Sequence, residues 1–247
     1  MNESALRPSR RAILAMGTGL AGWVAAPALG WTQSAAAPQK IGIIGSGKIG
    51  GTVGKLWVQA GHQVFFSSRH PEELKEMIAG LGPSARAGNV EEAIAFGDAI
   101  LLAVPYKAYP QLGQDYAKAL AGKIVLDAGN ATVARDGQEL VTEVQQNGIG
   151  LTSAKYFPGA RLVRAFNTLG YTVLAREAHR QGDPLAIPIA GDDREAVAVA
   201  AALVRDAGFE AVIVGGLTRA KEFQMGAPGY GQIVPASELK KKFGLPG

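Results

Sequence analysis

The chain has 247 residues, 47% of them hydrophobic and 19% charged, with 33 glycines and a formal net charge of +4. That is enough apolar chain for a packed domain, and the absence of cysteine excludes disulfides, thiolate nucleophiles and thiolate metal sites together. Half of the positive excess lies in the first 37 residues, three Arg against one Glu, so the rest is nearly balanced and carries no basic stripe of the kind nucleic acid requires.

Three histidines, at 62, 70 and 179, have no spacing suited to a metal, and no metal site is expected. The chain opens with Ser9-Arg10-Arg11-Ala12-Ile13-Leu14, a weakly apolar stretch from Ala12 to Gly30, and Ser34-Ala35-Ala36-Ala37. Charge, apolar segment and small-residue cleavage site make residues 1–37 a twin-arginine-type signal peptide, cut after Ala36. The expected location is therefore periplasmic or secreted, with the twin-arginine export machinery as a partner. The other readings are an inner-membrane anchor, against which Gly17, Gly19, Gly22, Pro27 and Gly30 argue, and a disordered cytoplasmic tail.

From Lys40 onward strands and helices alternate. A strand over Lys40–Gly45 runs into Gly45-Ser46-Gly47-Lys48-Ile49-Gly50, the G-x-G-x-x-G spacing, and a helix follows to Ala60. Each glycine serves a distinct purpose. Gly45 allows the tight turn, Gly47 leaves room for a pyrophosphate, and Gly50 lets the helix pack against the sheet. The helix N-terminus at Lys48-Ile49 then faces the phosphates.

A second strand, Gln63–Ser67, ends in Ser67-Ser68-Arg69-His70. An acid at this point would bind a ribose 2′-hydroxyl and repel a 2′-phosphate. Hydroxyls and a guanidinium suit the phosphate instead, so the expected cofactor is NADP(H) rather than NAD(H). Pro71 with Glu72-Glu73 opens a helix, Ala85–Ala87 is a short strand, and Val90–Phe96 is helical.

Ala99–Val104 is a continuous apolar run of the kind buried on both faces of a parallel sheet. Val104-Pro105 ends it at the edge where such sheets place ligands. Pro105-Tyr106 either walls the nicotinamide or merely ends the strand. A helix over Tyr109–Leu120 leads to a strand over Lys123–Ala128, where Asp127 is either a catalytic acid or a loop cap.

After a helix over Glu139–Gln146, a strand over Leu162–Phe166 ends in Asn167, which either holds the nicotinamide carboxamide or a substrate carbonyl, or caps a helix beginning near Tyr171. Strands over Leu185–Ala190 and Ala211–Val214 flank a helix over Arg194–Ala207. The fold expected of residues 38–247 is α/β: one domain with a doubly wound parallel sheet of Rossmann type.

Only about 35 residues follow Val214, with an ordered loop at Met225–Gly231 and a helix over Ser237–Phe243. The cleft is expected to be finished by a neighbouring subunit, as in a homodimer, or to be shallow. No acid–base constellation of a hydroxy-acid dehydrogenase is visible, so no catalytic residue is assigned. Direct hydride transfer to a flavin-like ring is the chemistry that needs least help.

The stretch from Lys40 to Glu222 resembles the NADPH:deazaflavin (coenzyme F420) oxidoreductases and the ferric-reductase domains of the same fold. The matching residues are Ile43 to Gly50, Ser67-Ser68-Arg69, Val104-Pro105, Val163 to Thr168, Ala190-Gly191-Asp192-Asp193, Gly208-Phe209 and Gly215-Gly216-Leu217. The resemblance implies that Ser46 to Ile49 hold the pyrophosphate, and Ser68 with Arg69 the 2′-phosphate. It also implies that Pro105, Ala128 and Ala165 line the nicotinamide end. The function it implies is an NADPH-dependent oxidoreductase passing hydride to a flavin, deazaflavin or metal chelate. Two departures are the Pro-Gly-Tyr-Gly tail and the export signal. The competing expectations are a non-catalytic NADP sensor or carrier, and a small carbonyl or imine reductase of the pyrroline-carboxylate type.

Overall fold

The computed structural model describes residues 38–246; the predicted leader and its cleavage point lie outside them. The β-rich apolar runs form β1 (Lys40–Ile44), β2 (Gln63–Ser67), β3 (Ala85–Gly88), β4 (Ala99–Leu102), β5 (Ile124–Asp127), β6 (Arg161–Arg164), β7 (Ala186–Gly191) and β8 (Glu210–Gly215). They hydrogen-bond in the order β3-β2-β1-β4-β5-β6-β7-β8. The order reverses at β1, between β2 and β4, which is the switch point where doubly wound sheets open a crevice.

Alternate residues of each strand face opposite cores. In β4, Leu101 joins Ile43, Trp57, Phe66, Phe166 and Leu203 on one face. Ile100 and Leu102 join Ile44, Tyr106, Tyr109, Val125 and Phe157 on the other. Helices cover both faces, so the uninterrupted apolar sequence of β4 is what a twice-buried strand demands.

β1 to β6 run parallel in pairs, as expected, but β7 lies antiparallel to β6. The segment between them contains a single seven-residue helix, Tyr171–Glu177. The chain that leaves β6 therefore re-enters the sheet from the edge it left. The 13-residue helix Arg194–Asp206 does make a crossover, and β8 pairs parallel with β7.

Other departures from the predicted elements are local. Pro71–Leu74 is a 3₁₀ turn ahead of a helix at Lys75–Leu81. Short helices at Val133–Asp136 and Ile149–Tyr156 were not predicted. The tail folds back on its own domain: the Gly231 N–H donates to the Thr168 carbonyl at 3.1 Å, and Leu185 bridges to Pro235. No described helix is long and apolar enough to cross a membrane.

Candidate functional site

Register decides which loops meet. Ile44 pairs with both Ser67 and Leu102, Leu102 pairs with Asp127, and Asp127 pairs with Arg164. Five strands thus end level along one edge. The loops that follow them, beginning at Gly45, Ser68, Ala103, Ala128 and Ala165, line up side by side. Two cavities of about 460 and 440 Å³ run along this edge and share Gly47, Ala103, Val104 and Pro105 as a common wall.

The glycine loop has the expected geometry. Gly45 has φ +98°, and a Cβ there would stand 2.5 Å from Val104 Cγ1. A Cβ on Gly50 would meet the Gly45 carbonyl oxygen at 2.1 Å, so helix and strand pack at glycine distance. A Cβ on Gly47 would have no protein atom within 4 Å. It would project into the cleft, so the position is open for a ligand rather than for packing. The helix that Gly47 opens, Lys48–Gln59, has no side-chain cap and no acid in its first turn. Its first N–H groups are therefore left for an anion.

Ser46 lines the larger cavity, and its side chain has a further role there. Its hydroxyl donates to the Ser67 carbonyl at 3.0 Å, and its N–H donates to the same oxygen at 3.1 Å. It locks the loop to the end of β2. Ser67 is likewise not a free donor: it is fully buried, and its hydroxyl donates to the Ile43 carbonyl at 2.8 Å. Ser68 and Arg69 remain. The Ser68 Oγ accepts from the His70 N–H at 3.0 Å, leaving its own proton free to donate. Arg69 lines the larger cavity together with Glu73 and Lys107, and with Leu74, Val90 and Leu112 as apolar walls. Glu73, Lys107 and Leu112 lie on helices or helical turns that enter from outside the motif, and no local pattern marked them.

At the middle of the cleft Val104 and Pro105 line both cavities. Tyr106 does not. Pro105 precedes a 3₁₀ turn that sends Tyr106 into the opposite core, where its ring stacks on Tyr109 with centroids 4.4 Å apart. Burial, then the nearby Asp127 carboxylate, raises both phenols well above their ordinary pKa.

The smaller cavity is lined by Lys48, Ile49, Ala128, Asn130, Arg135, Phe166, Asn167, Tyr171, Met225 and Tyr230, among others. Its floor is held from behind. Asp127 is fully buried, accepts from the Tyr109 hydroxyl at 2.5 Å and the Gly129 N–H at 2.9 Å, and pairs with Arg164 at 2.5 Å. Arg164 also donates to the Gly129 carbonyl at 2.6 Å. Asp127 is thus a loop anchor, facing away from the cleft, rather than a catalytic acid. Ala165 is fully buried in the core and does not line the cavity. Asn167 lines it and caps no helix: the helix at Tyr171 is opened by Gly170.

A second anchor has no counterpart among the expected residues. The buried Asp136 carboxylate accepts from the Thr132 N–H at 2.8 Å, the Lys107 N–H at 3.0 Å and the Arg135 guanidinium. Burial pushes its pKa up, but Arg135 and the two backbone donors prevail and hold it below the usual carboxylate value. The pair sets Arg135 at the cavity rim and ties two neighbouring loops together. The signal in the sequence is Thr132 spaced four residues before Asp136, as at a short helix. Met225 and Tyr230 come from the returning tail, so the chain contributes walls that were expected from a neighbouring subunit or not at all.

Residues 40–131, from β1 into the loop after β5, match the family model described as NADP oxidoreductase, coenzyme F420-dependent. The chain is 33% identical over 189 residues to metalloreductase STEAP3 of Rattus norvegicus, a match covering 75% of this chain and 36% of that relative. The chain thus spans little more than a third of the length of that relative. A solved hypothetical protein from Sinorhizobium meliloti is 26% identical with a TM-score of 0.69, covering 80% of this chain and 95% of that one. A structure from Arthrobacter sp. FB24, provisionally described as an F420-dependent NADP-reductase, is 23% identical with a TM-score of 0.63, covering 74% of this chain and 87% of that one, a likeness of fold. The comparisons support an NADP-oxidoreductase type of Rossmann domain over the matched residues.

Proposed function

We propose that residues 38–247 form an NADPH-dependent oxidoreductase that passes hydride between NADP(H) and a flavin-, deazaflavin- or metal-chelate-type acceptor. The observation that carries this reading is Gly47. It stands with no protein atom within 4 Å of its would-be Cβ, in the middle of a cleft running from Arg69 to Asn167. The uncapped N-terminus of the Lys48–Gln59 helix suits the pyrophosphate, and Ser68 with Arg69 the 2′-phosphate. Ile49, Val104, Pro105 and Ala128 provide an apolar bed for a flat ring. The nicotinamide ring, when bound, supplies the hydride. The protein's part is to orient that ring and shield one side of it from water.

The acceptor would approach from the side of Tyr171, Met225 and Tyr230. The metalloreductase name of the mammalian relative favours a metal chelate, and the matched family model favours a deazaflavin. Stopped-flow oxidation of NADPH with a free flavin, a deazaflavin and a ferric chelate decides among them. Tight NADPH binding with no turnover against any of the three would support a sensor or carrier instead.

We propose in addition that the chain leaves the cytoplasm through the twin-arginine pathway, on the strength of Ser9-Arg10-Arg11-Ala12-Ile13-Leu14. That route moves folded proteins, so cofactor could be loaded before export.

A further inference from the structure

Two amide side chains of the smaller cavity have acceptor oxygens with no partner. The Asn130 Nδ2 donates to the Asn167 backbone carbonyl at 2.6 Å. The Asn167 Nδ2 donates to the Phe223 carbonyl at 3.2 Å. Turning either amide over would set its oxygen against a carbonyl oxygen, so the donors fix both orientations. The two Oδ1 atoms are then buried with no hydrogen-bond donor among the described residues, although both residues line the cavity. Buried acceptors in folded proteins are almost always paired.

The backbone supports a functional origin for this arrangement. Phe166 has φ +60°, a left-handed conformation that a bulky side chain rarely adopts. The turn keeps its ring in the core, edge-on to Trp57 and Phe209, while the next residue, Asn167, reaches the cavity. Strain of this kind persists where surrounding structure and function over-determine it.

We propose that Asn130 Oδ1 and Asn167 Oδ1 together receive the two N–H bonds of the nicotinamide carboxamide, and so set the orientation of the ring in the cleft. This rests on the NADP(H) reading above and deepens it. Two unpartnered acceptors match the two N–H bonds of an NH₂ group.

The test is calorimetric titration of the whole protein with NADP⁺ and with its 3-acetylpyridine analogue, in which a methyl of similar size replaces the NH₂. Adenosine 2′,5′-bisphosphate, which reaches only the adenosine end, serves as a control. The unaltered protein should prefer NADP⁺ by about tenfold, the ordinary effect of one or two lost hydrogen bonds. Asn130→Ala should bring that ratio towards one without changing affinity for the bisphosphate, and Asn167→Ala should do the same if it folds. Equal affinity for the two dinucleotides in the unaltered protein would overturn the proposal, because water would then serve the two oxygens as well. So would an unchanged ratio in an Asn130→Ala protein that binds the bisphosphate normally. If neither dinucleotide nor the bisphosphate binds, the NADP(H) reading itself fails and takes this inference with it.

Discussion

The Ser46 hydroxyl and N–H both donate to the Ser67 carbonyl, at 3.0 and 3.1 Å, which joins the phosphate-binding loop to the end of β2. The glycine loop and the Ser68-Arg69 end of β2 are therefore joined directly. In the NADP(H) reading proposed above, a dinucleotide seated on the loop would have its ribose placed against Ser68 and Arg69 without any further movement of the chain.

The three residues at this point should separate by role. Arg69→Ala should weaken NADPH binding ten- to a hundredfold, the loss of a charged hydrogen bond of about 1.5–3 kcal/mol, and leave NADH nearly unchanged. Ser68→Ala should cost NADPH a smaller factor in the same direction. Ser67→Ala should change neither preference but lower stability by about 1 kcal/mol, since its hydroxyl serves the buried Ile43 carbonyl. Titration with both cofactors, beside denaturant unfolding, distinguishes them. Equal losses for NADPH and NADH in Arg69→Ala would refute the 2′-phosphate role.

Gly47 and Gly50 should fail differently when enlarged. Gly47→Val should fold normally, as judged by circular dichroism, yet lose both dinucleotides, because only the cleft receives the new side chain. Gly50→Ala forces a Cβ to within 2.1 Å of the Gly45 carbonyl and should lower the melting temperature. Retained NADPH affinity in folded Gly47→Val would reduce the loop to a simple turn.

Asp193 predicts a pH effect. Its carboxylate pairs with Arg161 at 2.7 Å and caps the Arg194–Asp206 helix through the Ala196 N–H at 2.8 Å. Hydrogen bonding to Arg161, then to that N–H, lowers its pKa to about 2. A depressed folded-state value means that the contribution is complete above the ordinary Asp pKa of about 3.9 and is lost as pH falls towards 2. Asp193→Asn should therefore be less stable than the unaltered protein at pH 6, with the gap closing by about pH 2. Unfolding midpoints across that range check the sign; a gap that widens on acidification would contradict it.

The export proposal is tested by Arg10→Lys with Arg11→Lys, which keeps charge and hydropathy. The double variant should stay cytoplasmic with its leader attached, as read by fractionation and an antibody to the mature domain. Unchanged export would reject twin-arginine dependence, and with it the argument that cofactor travels inside the folded protein.

The local chemistry of the chain was enough for the alternation of elements, the tight turn at Gly45 and the close packing of helix on strand at Gly50. Each depends on residues within a few positions of one another, where sterics and turn geometry leave little choice. Continuous apolar runs such as Ile100 to Leu102 likewise announced a strand buried on both faces. What lay beyond local reach was which side of a strand end each side chain takes. Asp127 and Asn167 end neighbouring strands in similar loops. Burial against Arg164 and Tyr109 turns the first away from the cleft, while the left-handed turn at Phe166 presents the second to it. Ser67, Tyr106 and Ala165 were drawn into the core in the same way, by partners far along the chain or on the opposite face of the sheet. The reversal of β7 and the return of Met225 and Tyr230 to the cleft had the same origin. Both depend on how segments far apart in the chain pack on the assembled sheet, and neither is a property of any one segment.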